Sequence, residues 1–308
     1  MIVVKDVVFD YPTARALHGV GFEVDRGSVL ALVGPNGAGK TTLLKCMAAL
    51  EPPTAGSITI DGLDVIDEPR AAHALLGYLP DFFGLYDELT VRQSLIYAAR
   101  SRGVAAGEAE GAASRAAGRV NLSERLGTRA GELSRGLRQR LAIAQTIVHQ
   151  PRVLILDEPA AGLDPDARRD LSRLITDLAA QGMTIVVSSH ILAELEDYCT
   201  AMLMIRDGKV GGGGVVRAGA GGPSRDAAAV TVVFAGPSEG LGERLRALGL
   251  EVRSLTGDTA EIAVLGEESD LLRRLVEGGL SVKSFTAARR TLEQAYLDES
   301  GTEPGERR

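Results

Sequence analysis

Hydrophobic residues fall into two rhythms along this chain, and the changes of rhythm mark its parts. Residues 2–9 gather Val, Ile and Phe into a strand that closes at Tyr11 and Pro12. Val20–Val24 reads as a second strand, ending at the turn Asp25-Arg26-Gly27. Val29-Leu30-Ala31-Leu32-Val33 is apolar without a break, as expected of a strand covered on both faces. Helical spacing then runs from Thr42 to Leu50, until Pro52, Pro53 and Gly56 interrupt it. Ser57–Ile60 is a strand with Asp61-Gly62 as its hairpin turn. A short helix near Pro69–Ala74 leads into a buried strand at Leu75–Leu79.

Between Asp81 and Gln150 the chain turns Ala-, Arg- and Glu-rich with a helical period, clearest in Val91–Ala99. This predicts an inserted helical subdomain over about residues 82–150, whose last helix starts at Ser134, a good N-cap. Strands at Val153–Leu156 and Thr184–Ser188 then alternate with helices after Pro165 and over Ile191–Tyr198. Such alternation implies a largely parallel sheet in an α/β fold. Ala201–Ile205 and Lys209–Val216 form a closing hairpin about Asp207-Gly208, its second arm made irregular by Gly211–Gly214. The first domain therefore spans 1–216, and 217–229 reads as a linker. Over 230–300 the order strand, helix, strand, strand, helix, strand predicts a small α+β domain of ferredoxin-like kind, with a last helix at Thr291–Asp298. Residues 301–308 read as a disordered tail.

Composition narrows the function classes. With 308 residues, 45% hydrophobic and 24% charged, the chain has the balance of a globular protein and room for two domains. Its apolar runs stay well short of the ~18–20 residues of a membrane helix, and Met1–Asp6 lacks a signal-peptide layout. Any membrane role is thus expected to run through a partner. Cys46 and Cys199 are both expected in helices, lack metal-ligand spacing and should stay reduced. A net charge of −7 without a long Lys/Arg stripe argues against a nucleic-acid partner.

The chemistry concentrates at the switch from the third strand to its helix. Gly34-Pro35-Asn36-Gly37-Ala38-Gly39-Lys40-Thr41 fits G-x-x-x-x-G-K-[ST] between a strand and a helix. Glycines let backbone N–H groups turn toward phosphates, and the helix start offers its positive end. Lys40 is placed for the β- and γ-phosphates, the Thr41 hydroxyl for Mg²⁺, with Thr42 next on the helix. Far downstream, Val153–Leu156 ends in Asp157-Glu158, delivering two carboxylates to the same edge of the sheet. Asp157 is placed to hold Mg²⁺ and Glu158 to take a proton from attacking water, the two tasks that phosphoryl transfer requires. Ser134 and Gly136 open a helix that makes a second anion site.

Taken together and in this order, these motifs resemble those of ATP-binding cassette (ABC) transporter ATPase subunits over roughly residues 2–216. Gly34–Thr41 resembles Walker A, and Asp157 with Glu158 resembles Walker B and the catalytic glutamate. Leu133-Ser134-Arg135-Gly136-Leu137-Arg138-Gln139-Arg140 resembles the signature motif, and Gly162-Leu163-Asp164 the loop that links the two sites of a dimer. The resemblance implies that Tyr11 stacks on adenine and that His190 is the switch histidine. It further implies a P-loop NTPase core with an N-terminal antiparallel β subdomain, ATP and Mg²⁺ as ligands, and a head-to-tail dimer in which the signature of one copy caps ATP on the other. The implied partner is a separate integral-membrane permease, with the ATPase lying on the cytoplasmic face of the membrane. Thr291–Leu297 is similar to the tail of ATPases from the ABC-2 exporter group. A soluble ABC ATPase acting on nucleic acid or ribosomes is the alternative. Such chains usually carry two cassettes, a coiled coil or a basic linker, none of which is legible here.

Two positions depart from the family pattern. Asp81 stands where the family usually has Gln, adding an anionic Mg²⁺ ligand near the γ-phosphate. Arg135 stands for the usual Gly; it either adds a cation at the dimer interface or points to solvent, with nothing to choose between them. Phe82-Phe83-Gly84-Leu85-Tyr86 is dense in large apolar residues for a connection. Core packing is expected to account for about half of these, and a docking groove for a permease helix for the rest.

Overall fold

The computed structural model describes residues 1–191, 195, 197–217, 228–235, 240–264 and 268–288. They form two compact units, one within Met1–Ala218 and one within Gly219–Thr291. The first opens with β1 (Ile2–Tyr11) and β2 (Ala14–Val24), a long antiparallel pair. β2 begins well before the expected Val20, because Ala14–His18 continue the pairing with β1 through register shifts. After β3 (Val29–Val33) and α1 (Lys40–Met47) come β4 (Ala55–Ile60) and β5 (Leu63–Asp64), which complete an antiparallel sheet in the order β2-β1-β4-β5.

α2 (Pro69–Leu75) and β6 (Leu76–Leu79) lead to the helical segment: α3 (Val91–Ser101), α4 (Ala106–Arg119) and α5 (Arg135–Ile147). Thr90 starts α3 with a reciprocal capping box to Gln93. Next come β7 (Val153–Leu156), α6 (Pro165–Ala180), β8 (Thr184–Ser189), β9 (Ala201–Arg206) and β10 (Lys209–Arg217). Their sheet runs β10-β9-β3-β8-β7-β6, parallel except for the β9–β10 hairpin. Every residue of β3, β7 and β8 is buried, which accounts for the unbroken apolar runs of β3 and β7 and for Ile185–Val187 within β8.

Alternate strand residues feed two cores. Leu154, Leu156 and Val187 pack with the helical segment, while Ile155, Val186, Leu30 and Leu32 pack with α1 and the antiparallel sheet. Each fully buried aliphatic side chain contributes about 1.5–3 kcal/mol relative to exposure. α5 lies so close to β6 that a Cβ on Gly77 would run into the Thr146 carbonyl oxygen. The register of β10 shifts between Val210 and Val215, where the four glycines fall. Cys199 lies in the loop before β9 rather than in a helix. Burial pushes its thiol up and that of Cys46 to about 12, so both are inert at neutral pH. Among the described residues no helix is long and apolar enough to cross a membrane.

The second unit contains β11 (Ala228–Phe234), α7 (Leu241–Ala247), β12 (Val252–Thr256), β13 (Thr259–Val264), α8 (Glu268–Glu277) and β14 (Val282–Ala288). Its antiparallel sheet is ordered β12-β13-β11-β14, each helix crossing over one intervening strand, the ferredoxin-like arrangement. Val232, Ile262, Leu245 and Leu275 meet in its core. Most of the expected linker, the closing helix Thr291–Asp298 and the tail 301–308 lie outside the described residues, as does part of the helix expected over Ile191–Tyr198.

Candidate functional site

The strand order sets the site. β8 lies between β3, which carries the glycine loop, and β7, which carries Asp157 and Glu158, so all three strands end along one edge. Gly34 must be glycine, because a Cβ there would run into the carbonyl oxygen of Ile205. Gly39 stands at φ 103 as the N-cap of α1 and offers no side-chain cap, leaving the first N–H groups of the helix to other acceptors. Pro35, Asn36 and Gly37 are exposed, as is Thr41, while Ala38, Lys40 and Thr42 are buried. The Asp207–Gly208 turn buttresses this loop: Gly208 N–H donates to the Ala38 carbonyl at 3.0 Å. The sequence marked that turn only as a hairpin.

Lys40 Nζ donates to the Gly34 carbonyl at 2.7 Å and lies 3.5 Å from Glu158 Oε1. The other oxygen, Glu158 Oε2, is 2.8 Å from His190 Nδ1. Lys40, Glu158 and His190, which come from a helix start, a strand end and the next strand end, thus meet at one carboxylate. Glu158 holds a backbone φ of 46°, a left-handed conformation unusual for a non-glycine residue.

Asp157 is 1% exposed. Its Oδ1 accepts from Ser188 Oγ at 2.6 Å, and its Oδ2 is buried without a hydrogen-bond partner among the described residues. The Tyr78 hydroxyl on β6 is orphaned in the same way; burial raises that phenol, and the charges of Asp157 and Asp81 raise it further. Burial likewise raises the Asp81 carboxyl, Asp157 and Glu158 push it in the same direction, and His190 opposes them. No cage of three or more His, Cys, Asp or Glu side chains stands ready among the described residues. An orphaned carboxylate oxygen is nevertheless the donor a hard dication takes, and Mg²⁺ commonly binds through one or two carboxylates together with substrate phosphates. The residues therefore fit Mg²⁺, with Asp157, Asp81 and the Thr41 hydroxyl as its candidates.

The other candidates make separate contacts. Tyr11 is 41% exposed, stands edge-on to Phe9 and places its hydroxyl 3.2 Å from Thr42 Oγ1, which brings its ring to the start of α1. Ser134 caps α5 by accepting from Leu137 N–H at 3.4 Å. At Gly136 a Cβ would come within 3.0 Å of the Ala167 Cβ, so the start of α5 is packed against the start of α6. Arg135 is exposed, and within the chain its guanidinium donates to the Ala161 carbonyl at 3.1 Å and covers Gly162. A cation on the first turn of a helix is disfavoured by the helix dipole, and a nearby carbonyl offers it a partner. Asp164 caps α6 through Ala167 N–H. In the 82–86 stretch Phe83 and Leu85 pack against the core, while Phe82 is 95% and Tyr86 62% exposed, the latter edge-on to Tyr97. Sequence reasoning passed over Ser188 and Tyr78, because a lone Ser or Tyr within a buried strand carries no motif.

A buried parallel strand, a glycine-started helix and a carboxylate pair on the next strand but one define a P-loop nucleoside triphosphatase. Residues 17–161 match the family described as "ABC transporter". The chain is 42% identical over 187 residues to the probable multidrug ABC transporter ATP-binding protein YbhF of Escherichia coli, covering 61% of this chain and 32% of that one. It is 37% identical over 199 residues to the Nod factor export ATP-binding protein I of Burkholderia thailandensis, covering 65% and 66%. A solved ATP-binding subunit of an ABC transporter aligns with a TM-score of 0.60 and 35% identity, covering 68% of this chain and 88% of that one. This chain belongs to the ABC transporter ATPase family. It spans about a third of the length of the multidrug relative.

Proposed function

We propose that this chain binds MgATP, pairs head to tail with a second copy of itself, and hydrolyses ATP to drive a separate ABC-2-type export permease in the membrane. The observation that carries the reading is the Glu158 carboxylate, held between Lys40 and His190 beside the buried Asp157. Lys40 and the N–H groups at the start of α1 bind the β- and γ-phosphates. Glu158 accepts the proton of the attacking water, and His190 fixes the carboxylate's orientation. Tyr11 stacks on the adenine. Asp157, Thr41 and Asp81 would hold Mg²⁺, which when bound supplies charge neutralisation at the phosphates. Ser134 and Gly136 close on the nucleotide of the opposite copy.

The permease reading draws support from Phe82, Tyr86 and Tyr97, large side chains exposed on the stretch after Asp81 and on α3. Export draws support from the relative that is named for Nod factor export. A peripheral position on the cytoplasmic face of the membrane follows from the same reading. The test is Glu158→Gln in the full chain. Hydrolysis should fall at least a hundredfold while ATP binding persists, and ATP should shift the protein to a dimer by light scattering. Turnover at the wild-type rate would sink the assignment.

A further inference from the structure

Ser188 is fully buried in the strand between the one that carries the glycine loop and the one that carries Asp157 and Glu158. Register pairs it with Leu32 on β3, and Val187 beside it pairs with Leu156 on β7. Its hydroxyl touches both carboxylate residues at once. Glu158 N–H donates to Ser188 Oγ at 2.9 Å, and Ser188 Oγ–H donates to Asp157 Oδ1 at 2.6 Å.

The direction of this chain of bonds is dictated. A backbone N–H can only donate, so the one hydroxyl proton is left for the carboxylate. Two consequences follow. Asp157 has Oδ1 committed, so Oδ2, which lacks a partner among the described residues, is the oxygen left to a ligand. Glu158 is tethered at its own N–H, on a backbone at φ 46°, a conformation that persists only where its surroundings hold it.

We propose that Ser188 is a positioning residue for the nucleotide site: one hydroxyl selects which Asp157 oxygen is presented to the metal and anchors the strained backbone that aims Glu158. The inference rests on the metal and base roles proposed above for Asp157 and Glu158. Ile185, Val186 and Val187 before it are apolar, and of the buried hydroxyls of β8 it is Ser188 that bonds both Asp157 and Glu158.

The test compares Ser188→Ala, Ser188→Thr and Ser188→Cys in the full chain. Readouts are kcat and KM for ATP, and Mn²⁺ affinity with a non-hydrolysable ATP analogue, followed by the spin-resonance signal of free Mn²⁺. Outer-shell hydrogen bonds to metal ligands typically carry 10–100-fold in affinity or activity. Ser188→Ala should lower kcat by about 10–100-fold, weaken Mn²⁺ binding about tenfold and leave KM for ATP within about twofold. Ser188→Thr keeps the hydroxyl and should recover kcat to within about threefold. Should Ser188→Ala fail to fold, Ser188→Cys keeps a similar volume with a much weaker hydrogen-bonding group and should show the same loss. Wild-type kcat and Mn²⁺ affinity in a folded Ala or Cys variant, or a Thr variant as damaged as Ala, overturns the proposal. The underlying roles are checked apart from it, since Glu158→Gln with full turnover refutes the catalytic reading whatever the Ser188 variants do.

Discussion

Two helix starts in the first unit bear on phosphate, and they are built in opposite ways. α1 begins on Gly39, with no side-chain cap and an exposed loop before it. α5 begins on Ser134, which caps its own helix, and its next residue, Arg135, is turned onto Ala161. The first has its N–H groups and an adjacent lysine ready within one chain. The second is occupied by its own hydroxyl, and its cation is spent on a loop that follows Glu158. Within one chain the first start is left open to an anion by its lack of a side-chain cap, while the second keeps the Ser134 cap that a nucleotide on the opposite copy, as proposed above, would meet. The same contacts join α5 to the turn after Glu158, through Arg135 on Gly162 and Gly136 against Ala167.

The largest expected effect comes from damaging the open helix start. Gly34→Ala forces a Cβ into the Ile205 carbonyl and must displace the glycine loop from the β9–β10 hairpin. ATP affinity, measured by calorimetry, should drop at least tenfold, while second-unit residues keep their hydrogen-exchange protection. Undiminished affinity would show that the loop adapts and that the cradle does not depend on that close approach.

A smaller effect is expected at Asp81, which bears on the charge of the open site. Asp81→Gln removes a carboxylate that feels Asp157 and Glu158. Turnover should rise by a few-fold and its response to the partner should change. Identical rate and response in the variant would leave Asp81 without a role in turnover.

The smallest concerns the closed helix start. Arg135→Gly removes one exposed hydrogen bond, worth about 0.5–1.5 kcal/mol. Exchange of amides in 158–163 should quicken and kcat should fall about two- to fivefold, with KM for ATP unchanged. If the exchange of that turn is unaffected, Arg135 does not hold it.

Much of this is legible in the sequence. The strand-loop-helix around Gly34–Thr41 and the apolar strand ending in Asp157-Glu158 are local patterns, set by period and by glycine chemistry within a few residues. The order strand, helix, strand, strand, helix, strand was legible beyond the linker for the same reason. Boundaries were less so: β2 extends back to Ala14 because β1 offers it a partner, and pairing is not encoded in β2 alone. For Arg135 the sequence left two courses open, and its contact with the Ala161 carbonyl was not legible because that partner is distant in sequence and adjacent only in the fold.

The sequence by itself therefore determined the chemistry at hand: a glycine loop, a lysine, two carboxylates and a second helix start, in an order that belongs to one family. Only the tertiary structure decided which atoms meet. Lys40 and His190 reach the same Glu158 carboxylate, and Ser188 bridges Asp157 to the Glu158 backbone, because β8 lies between β3 and β7 in the sheet. Strand order is a long-range property, fixed by which buried faces pack together, and a linear pattern of residues does not contain it.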